Sequence, residues 1–246
     1  MKLAACYTVF NGLELLEDSI ESIRPMVDKV IVCYQTTSNK GETRKEVETF
    51  CKVLKNVELL PFEPDLSLNT KANERSKHQI MVEFSAKLGC THFVLMACDH
   101  FYRSSEFRWA KKEIEKHGYD ATFSKMYTYY KHENWRLDPI EDYFCPFINE
   151  IKPCTRVEYQ RNYHEHVDPS VMLTGVTNPY SFNRNELMLH HYSMVRIDIE
   201  DKFRNAAASI RWNKEQVERF KEEFKNAKLG DSISYFQGRK LVLTST

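Results

Sequence analysis

The chain has 246 residues, enough to bury a sizeable core in one large domain with or without an appendage. Its 35 basic and 35 acidic residues cancel and no stretch is strongly basic, which argues against a partner as polyanionic as nucleic acid. Seven cysteines, an odd number with no C-x-x-C spacing, suggest neither a zinc knuckle nor a thioredoxin-type redox site and read as buried free thiols in a reducing compartment. The seven glycines form neither G-x-G-x-x-G nor a P-loop pattern. No run approaches the roughly 20 apolar residues that span a bilayer. Asn11, Glu14 and Glu17 interrupt the apolar start before it can act as a leader, so the expectation is a soluble cytoplasmic protein.

The first hundred residues alternate between two periods. Leu3 to Phe10 is a short apolar run, followed by Leu13, Leu16, Ile20 and Ile23 at helical spacing up to Pro25. Val30 to Tyr34 is a second run. Val47, Phe50, Cys51 and Leu54 mark an amphipathic helix, and Val57 to Leu60 is a third run closed by Pro61. The spacing of Ala72, Ile80, Phe84 and Leu88 predicts a helix over 68–88, with Gly89 at its C-terminal cap. His92 to Ala97 is the fourth run. Strands alternating with helices imply an α/β fold with a mostly parallel sheet, apolar on both faces because helices cover it. Such sheets bind ligands beyond the carboxyl ends of their strands, where Phe10-Asn11, Tyr34-Gln35 and Asp99 fall.

Beyond Asp99, Ser104 or Ser105 can cap a helix ending at Gly118, and Asp120 to Tyr127 reads as a fifth strand. From there to Tyr192 the pattern loosens into aromatics and prolines, suiting an irregular, acceptor-facing region. Helical spacing returns over 199–226, divided by an Asn213–Gln216 cap. The expected division is 1–125, 126–198 and a helical 199–246, forming one continuous catalytic domain.

Three elements in order resemble a known family. Asn11-Gly12-Leu13-Glu14-Leu15-Leu16-Glu17-Asp18-Ser19-Ile20-Glu21-Ser22-Ile23 matches N-x-x-x-x-L-x-x-x-I-x-S-I. Ala72-Asn73-Glu74-Arg75 lies on the helix before the Asp99 strand, and His190-His191-Tyr192-Ser193-Met194-Val195-Arg196 follows later. The chain thus resembles a GT-A-type, family-2-like nucleotide-sugar glycosyltransferase. The resemblance implies a nucleoside diphosphate sugar as donor and a glycan, lipid-linked or other hydroxyl-bearing acceptor, with transfer by inversion. It implies a D-x-D metal site for manganese or magnesium, yet Phe101 stands where the second acid belongs. A cation would then rest on Asp99 with His191 or His190. Without one, Lys71, Arg75 and Arg196 would carry the diphosphate charge.

Each residue has a plainer reading beside this one. Asp99 would serve as a polar strand end, Tyr34 and Gln35 as another, Lys71 and Arg75 as a solvated basic edge, and His190 and His191 as partly buried polar groups. An inverting transfer needs a carboxylate to take the acceptor's proton, and Glu141 and Asp142 lie in the expected part of the chain, with Glu150 and Asp168 competing. Tyr127, Tyr129, Tyr130 and Trp135 form an aromatic group suited to sugar faces or to core packing. Two alternatives of other classes stand: a metal-dependent hydrolase using His164, His166 and Asp168, and a non-catalytic carbohydrate-binding module built on those aromatics.

Overall fold

β1 (Leu3–Val9) runs through the centre of the sheet and is buried along almost its whole length. Leu3, Ala5, Tyr7 and Val9 enter one apolar cluster while Ala4 and Cys6 enter another, as the two-residue period of a strand requires. In this computed structural model, residues 1–158, 172–205 and 212–244 are described. After β1 come α1 (Leu13–Ile23), β2 (Lys29–Tyr34), α2 (Lys45–Val53), β3 (Glu58–Pro61), α3 (Thr70–Lys87) and β4 (His92–Ala97). β1 pairs in parallel with β2 on one side and β4 on the other, and β2 pairs in parallel with β3. The chain therefore winds outward from β1 to β3, then returns to the opposite flank of β1. That reversal makes the crevice between β1 and β4 the topological switch point.

The first cluster contains Leu16, Ile20 and Ile23 of α1, Val47 and Cys51 of α2, and further along Phe107, Ala110 and Ile114 of α4 (Ser104–His117). The second holds Met81 and Val82 of α3, so helices cover both faces. The inward face of α3 differs from the expected one. Ile80 is exposed, while Asn73, Lys77, His78 and Ser85 are buried beside Met81 and Val82. Apolar spacing misses that face because it carries polar groups toward a cavity.

Between β4 and α4 lies β5 (His100–Tyr102). β6 (Ala121–Tyr130) is long enough to change partners along its length. β7 (His132–Asp138) and β8 (Cys145–Glu150) follow, then the two-residue strands β9 (Val157–Glu158) and β10 (Met172–Leu173), then β11 (Pro179–Ser181) and β12 (Met188–Met194). β8 sits antiparallel between β4 and β6, while β11 and β12 run parallel to β6. The stretch expected to be irregular is thus rich in strands. Their shortness and changing partners remove the period that would have marked them.

α5 (Ile199–Asn205) and α6 (Lys214–Asn226) precede a hairpin of β13 (Ser232–Ile233) and β14 (Arg239–Leu243), and β14 extends the sheet beside β7. Phe203, Phe220, Phe236 and Leu241 form a third cluster over Tyr130 and Leu137. Asn213 and Gln216 form the expected reciprocal cap at the start of α6, whereas α4 begins after Arg103 with no side-chain cap. No helix among the described residues is long and apolar enough to cross a membrane.

Asp120 fastens β6 to the segment before β11. Its carboxylate accepts from Lys152 Nζ at 2.6 Å, from the Thr177 backbone N–H and hydroxyl at 2.7 Å each, and from the Asn178 N–H at 2.9 Å. Asp120→Ala is expected to destabilise the fold by about 1–3 kcal/mol, since several hydrogen bonds to one charged acceptor are lost while their donors stay partly solvated. The shift of the urea midpoint measures it, and a shift within error would show the staple to be dispensable.

Candidate functional site

Asp99 stands between β4 and β5, just past the carboxyl end of β4, and is 2% exposed. Its backbone carbonyl accepts from Tyr192 N–H at 2.9 Å, and β5 pairs antiparallel with β12 so that His100 lies opposite His191. Three cationic or basic groups converge on one Asp99 oxygen: Arg196, at hydrogen-bond contact, Lys202 Nζ at 3.4 Å and His191 Nε2 at 3.6 Å. Burial alone would raise the Asp99 carboxyl's pKa. Lys202, His191 and Arg196 outweigh it and hold the group well below the usual carboxylate range. Burial lowers the Lys202 ammonium, and Asp99 opposes that shift.

Arg196 is fixed from several sides. Its Nε donates to Ser193 O at 3.2 Å, and Nη1 lies 3.8 Å from Glu14 while making no hydrogen bond. The guanidinium packs directly on Gly12, whose φ of 75° and missing side chain both allow the approach. A Cβ there would collide with Nη1 and stand 3.0 Å from Cζ. α5 is tied down by a second set of charges: Asp201 pairs with Arg44, and Arg204 lies 3.6 Å from Glu42. Residues 196–204 thereby cross the carboxyl ends of the central strands.

Two cavities meet at Asn11. One, of about 250 Å³, lies between Asn11, Gly12, Glu14, Arg196, Asp198 and Lys202. The other, of about 190 Å³, is lined by Phe10, Asn11, Gln35, Lys40, Glu74 and Lys77, among others. Gln35 Oε1 accepts from Lys77 Nζ at 3.0 Å, and its Nε2 donates to Thr37 O at 2.8 Å. Tyr34 lies in the apolar core with its hydroxyl 3.4 Å from Glu48. Lys71 and Arg75 stand on the exposed side of α3, and Glu74 and Lys77 face the cavity instead.

The paired histidines separate, because successive side chains of a strand point to opposite faces. His191 reaches Asp99, while His190 bonds Tyr129 Oη through Nδ1 at 2.8 Å. Tyr129 stacks on Tyr192, Tyr127 lies under Arg136, and Tyr130 and Trp135 join the C-terminal cluster, so the aromatic group is divided. Glu141 accepts from Thr128 Oγ1 at 2.8 Å, and Thr128 is the parallel register partner of His191. Glu141 therefore binds a side chain on the face that carries His191. Asp142 is 93% exposed and 3.9 Å from Arg239. His164, His166 and Asp168 lie outside the described residues.

Asp99, His100 and His191 bring their ligand atoms within 4.8 Å of one another, a grouping that in isolation could hold a cation; His190 is not part of it. Its surroundings disagree. Arg196 and Lys202 already occupy the same Asp99 oxygen, and two unit charges about 4 Å apart repel by about 4 kcal/mol at an effective dielectric of about 20. A dication doubles that repulsion for each neighbour, so Arg196 and Lys202 oppose a divalent metal at this cluster. Sequence reasoning missed Lys202, Lys77, His100 and the role of Gly12. Lys202 is one of many helical lysines, and no local pattern marks its approach to a residue 103 positions away.

No protein-family model and no curated protein matches the chain. Among solved structures, it is similar to the mannose-1-phosphate geranyltransferase of Thermus thermophilus, with a TM-score of 0.36 and 15% identity over 62% of this chain and 51% of that one. It is also similar to S. aureus TarS, with a TM-score of 0.46 and 11% identity over 92% of this chain and 43% of that one. A TarS fragment in complex with UDP overlaps 52% of this chain and 36% of its own, at 14% identity and a TM-score of 0.37. The chain spans about half the length of these structures or less. Overlaps this loose do not decide a reaction.

Two outcomes follow from the geometry. Gly12→Ala should cost about 1–2 kcal/mol through its left-handed backbone alone and push Arg196 off Asp99, readable as a lower denaturation midpoint. Burial, aided by His191, pushes His100 down to about 3, and burial with Arg103 pushes His190 down to about 4. Between those values and the ordinary imidazole pKa of about 6.5 the unfolded chain binds more protons, so this stability is full above about pH 6.5 and falls toward pH 4. His190→Phe should flatten the slope of unfolding free energy against pH across that window; an unchanged slope contradicts the assignment.

Proposed function

We propose that the chain is a glycosyltransferase that moves a sugar from a nucleoside diphosphate donor to a hydroxyl of a glycan, lipid-linked or other acceptor. The observation that carries this reading is the position of Asp99, Arg196 and Lys202 at the switch point of the sheet, beside two cavities that share Asn11. A diphosphate leaving group needs fixed positive charge where its own charge grows, and a preorganised, buried pair of cations supplies it without reorganisation. The sequence order that resembles the GT-A family supports the same reading.

In this reading Phe10, Asn11, Gln35 and Lys77 line the nucleoside side, and Arg196 and Lys202 take the phosphates. Residues 1–125 form the nucleotide-sugar-binding part, 126–198 face the acceptor and complete the site with Arg196, and the 199–246 segment closes it with Lys202. The bond between the sugar's anomeric carbon and the β-phosphate oxygen breaks, and its electron pair stays on that oxygen. The acceptor oxygen forms the new bond to the anomeric carbon from the opposite side. Its proton goes to a carboxylate, for which Glu141 is better placed than Asp142, because Glu141 is held by Thr128 on the His191 face. Thr128 orients that carboxylate.

Consumption of donor across a panel of nucleotide sugars, with simple glycosides and lipid-linked sugars as acceptors, tests the reading. Glu141→Gln should lower kcat by about 10²–10⁴-fold with little change in KM, the range lost with a general base. A variant within about 3-fold of the parent removes Glu141 from that role. Failure of every donor to be consumed, together with failure of every nucleoside diphosphate to bind, would overturn the transferase reading.

A further inference from the structure

Resting on the transferase reading, we infer that this site takes the donor's diphosphate without a divalent cation, through Arg196 and Lys202, and that Asp99 is the positioning residue that holds those two cations in place.

A divalent ion beside Asp99 would stand next to two fixed cations as well as the carboxylate, and their repulsion opposes it. Here one Asp99 oxygen already serves Arg196, Lys202 and His191. A second carboxylate would strengthen a metal site, but at the position two residues on, Phe101 packs edge-on against Tyr192 and lines a separate aromatic cavity. The two cations are also built in rather than swung in. The Arg196 side chain is only 4% exposed, held by Ser193 and fitted over Gly12. Lys202 comes from α5, whose neighbouring Asp201 is paired with Arg44 from the loop after β2.

The arrangement is incomplete in one respect. Arg196 Nη1 is buried beside Gly12 and Glu14 without a hydrogen-bond acceptor, at the edge of the cavity of about 250 Å³ that Asn11 and Lys202 also line. A buried guanidinium N–H without a partner is costly, and an anionic oxygen in that cavity would satisfy it. Diphosphate oxygens have that chemistry. As the glycosidic bond breaks and its electron pair remains on the β-phosphate oxygen, Arg196 and Lys202 meet the new charge through hydrogen bonds, and no electron or group passes to the protein.

Calorimetry on the intact chain with UDP, GDP, CDP, ADP and dTDP tests this, each run once in EDTA and once in excess manganese. At least one is expected to bind with a Kd that agrees within about 3-fold between the two conditions. Lys202→Met should weaken that binding about 10-fold or more in both conditions, with Lys202→Arg restoring most of it, as a charge-assisted contact requires. Manganese titration of the parent, followed by electron paramagnetic resonance, should show no specific site. A nucleotide that binds more than about 10-fold tighter with manganese would overturn the inference and leave the transferase reading standing. No binding of any nucleotide in either condition would overturn both. The comparison on the parent needs no variant, so it holds even if Lys202→Met fails to fold.

Discussion

A carboxylate buried at the end of a parallel strand must be compensated, and the compensation of Asp99 organises this molecule. An ionised carboxyl removed from water loses several kcal/mol of solvation unless charges and hydrogen bonds replace it. Arg196 and Lys202 do so from a segment that follows the last parallel strand, and that segment is drawn across the strand ends. Gly12, Glu14, Arg44 and Asp201 then have evident physical work, since each either makes room for a cation or holds the chain that carries one. Removing either cation leaves a buried charge partly unpaired, so the crossing segment and the strand end are coupled.

The sheet makes that coupling reachable. β1 is covered by helices on both faces, so β2 and β4 must flank it as parallel partners with their carboxyl ends level. β6 then extends past β8 and receives β12 in parallel, which returns His191 to the level of His100 and releases the chain at Arg196 beside Gly12. The alternation along β12 divides the neighbouring histidines, one to the charged side and one to an aromatic side where burial keeps it neutral. Two adjacent residues of one type thus have different chemistry because the backbone has a period of two.

Much of the first half of the fold was legible. The apolar runs at 3–10, 30–34, 57–60 and 92–97, separated by helical spacings, correspond to β1, β2, β3 and β4 within a residue or two. The second half was less so. Strands such as β9, β10 and β11, at two or three residues, are too short to carry a period, and β6 exceeds its predicted span because its end pairs with β7 and β12. The inward face of α3 was misread for a different reason: Lys77 and Glu74 turn toward a polar cavity, so burial there does not follow hydrophobicity.

The sequence by itself determined the alternation of strands and helices, the parallel sheet, and the placing of Asp99 at a carboxyl end, because each depends on spacing along a few neighbouring residues. Only the tertiary structure decided what Asp99 meets. Arg196 and Lys202 lie 97 and 103 residues away in the chain; a local motif marks Arg196 but not its partner, and nothing local distinguishes Lys202 from the other lysines. Their approach depends on sheet register, on a glycine without a side chain, and on a helix pinned by a distant arginine. Those are properties of packing in space, which a linear pattern does not carry.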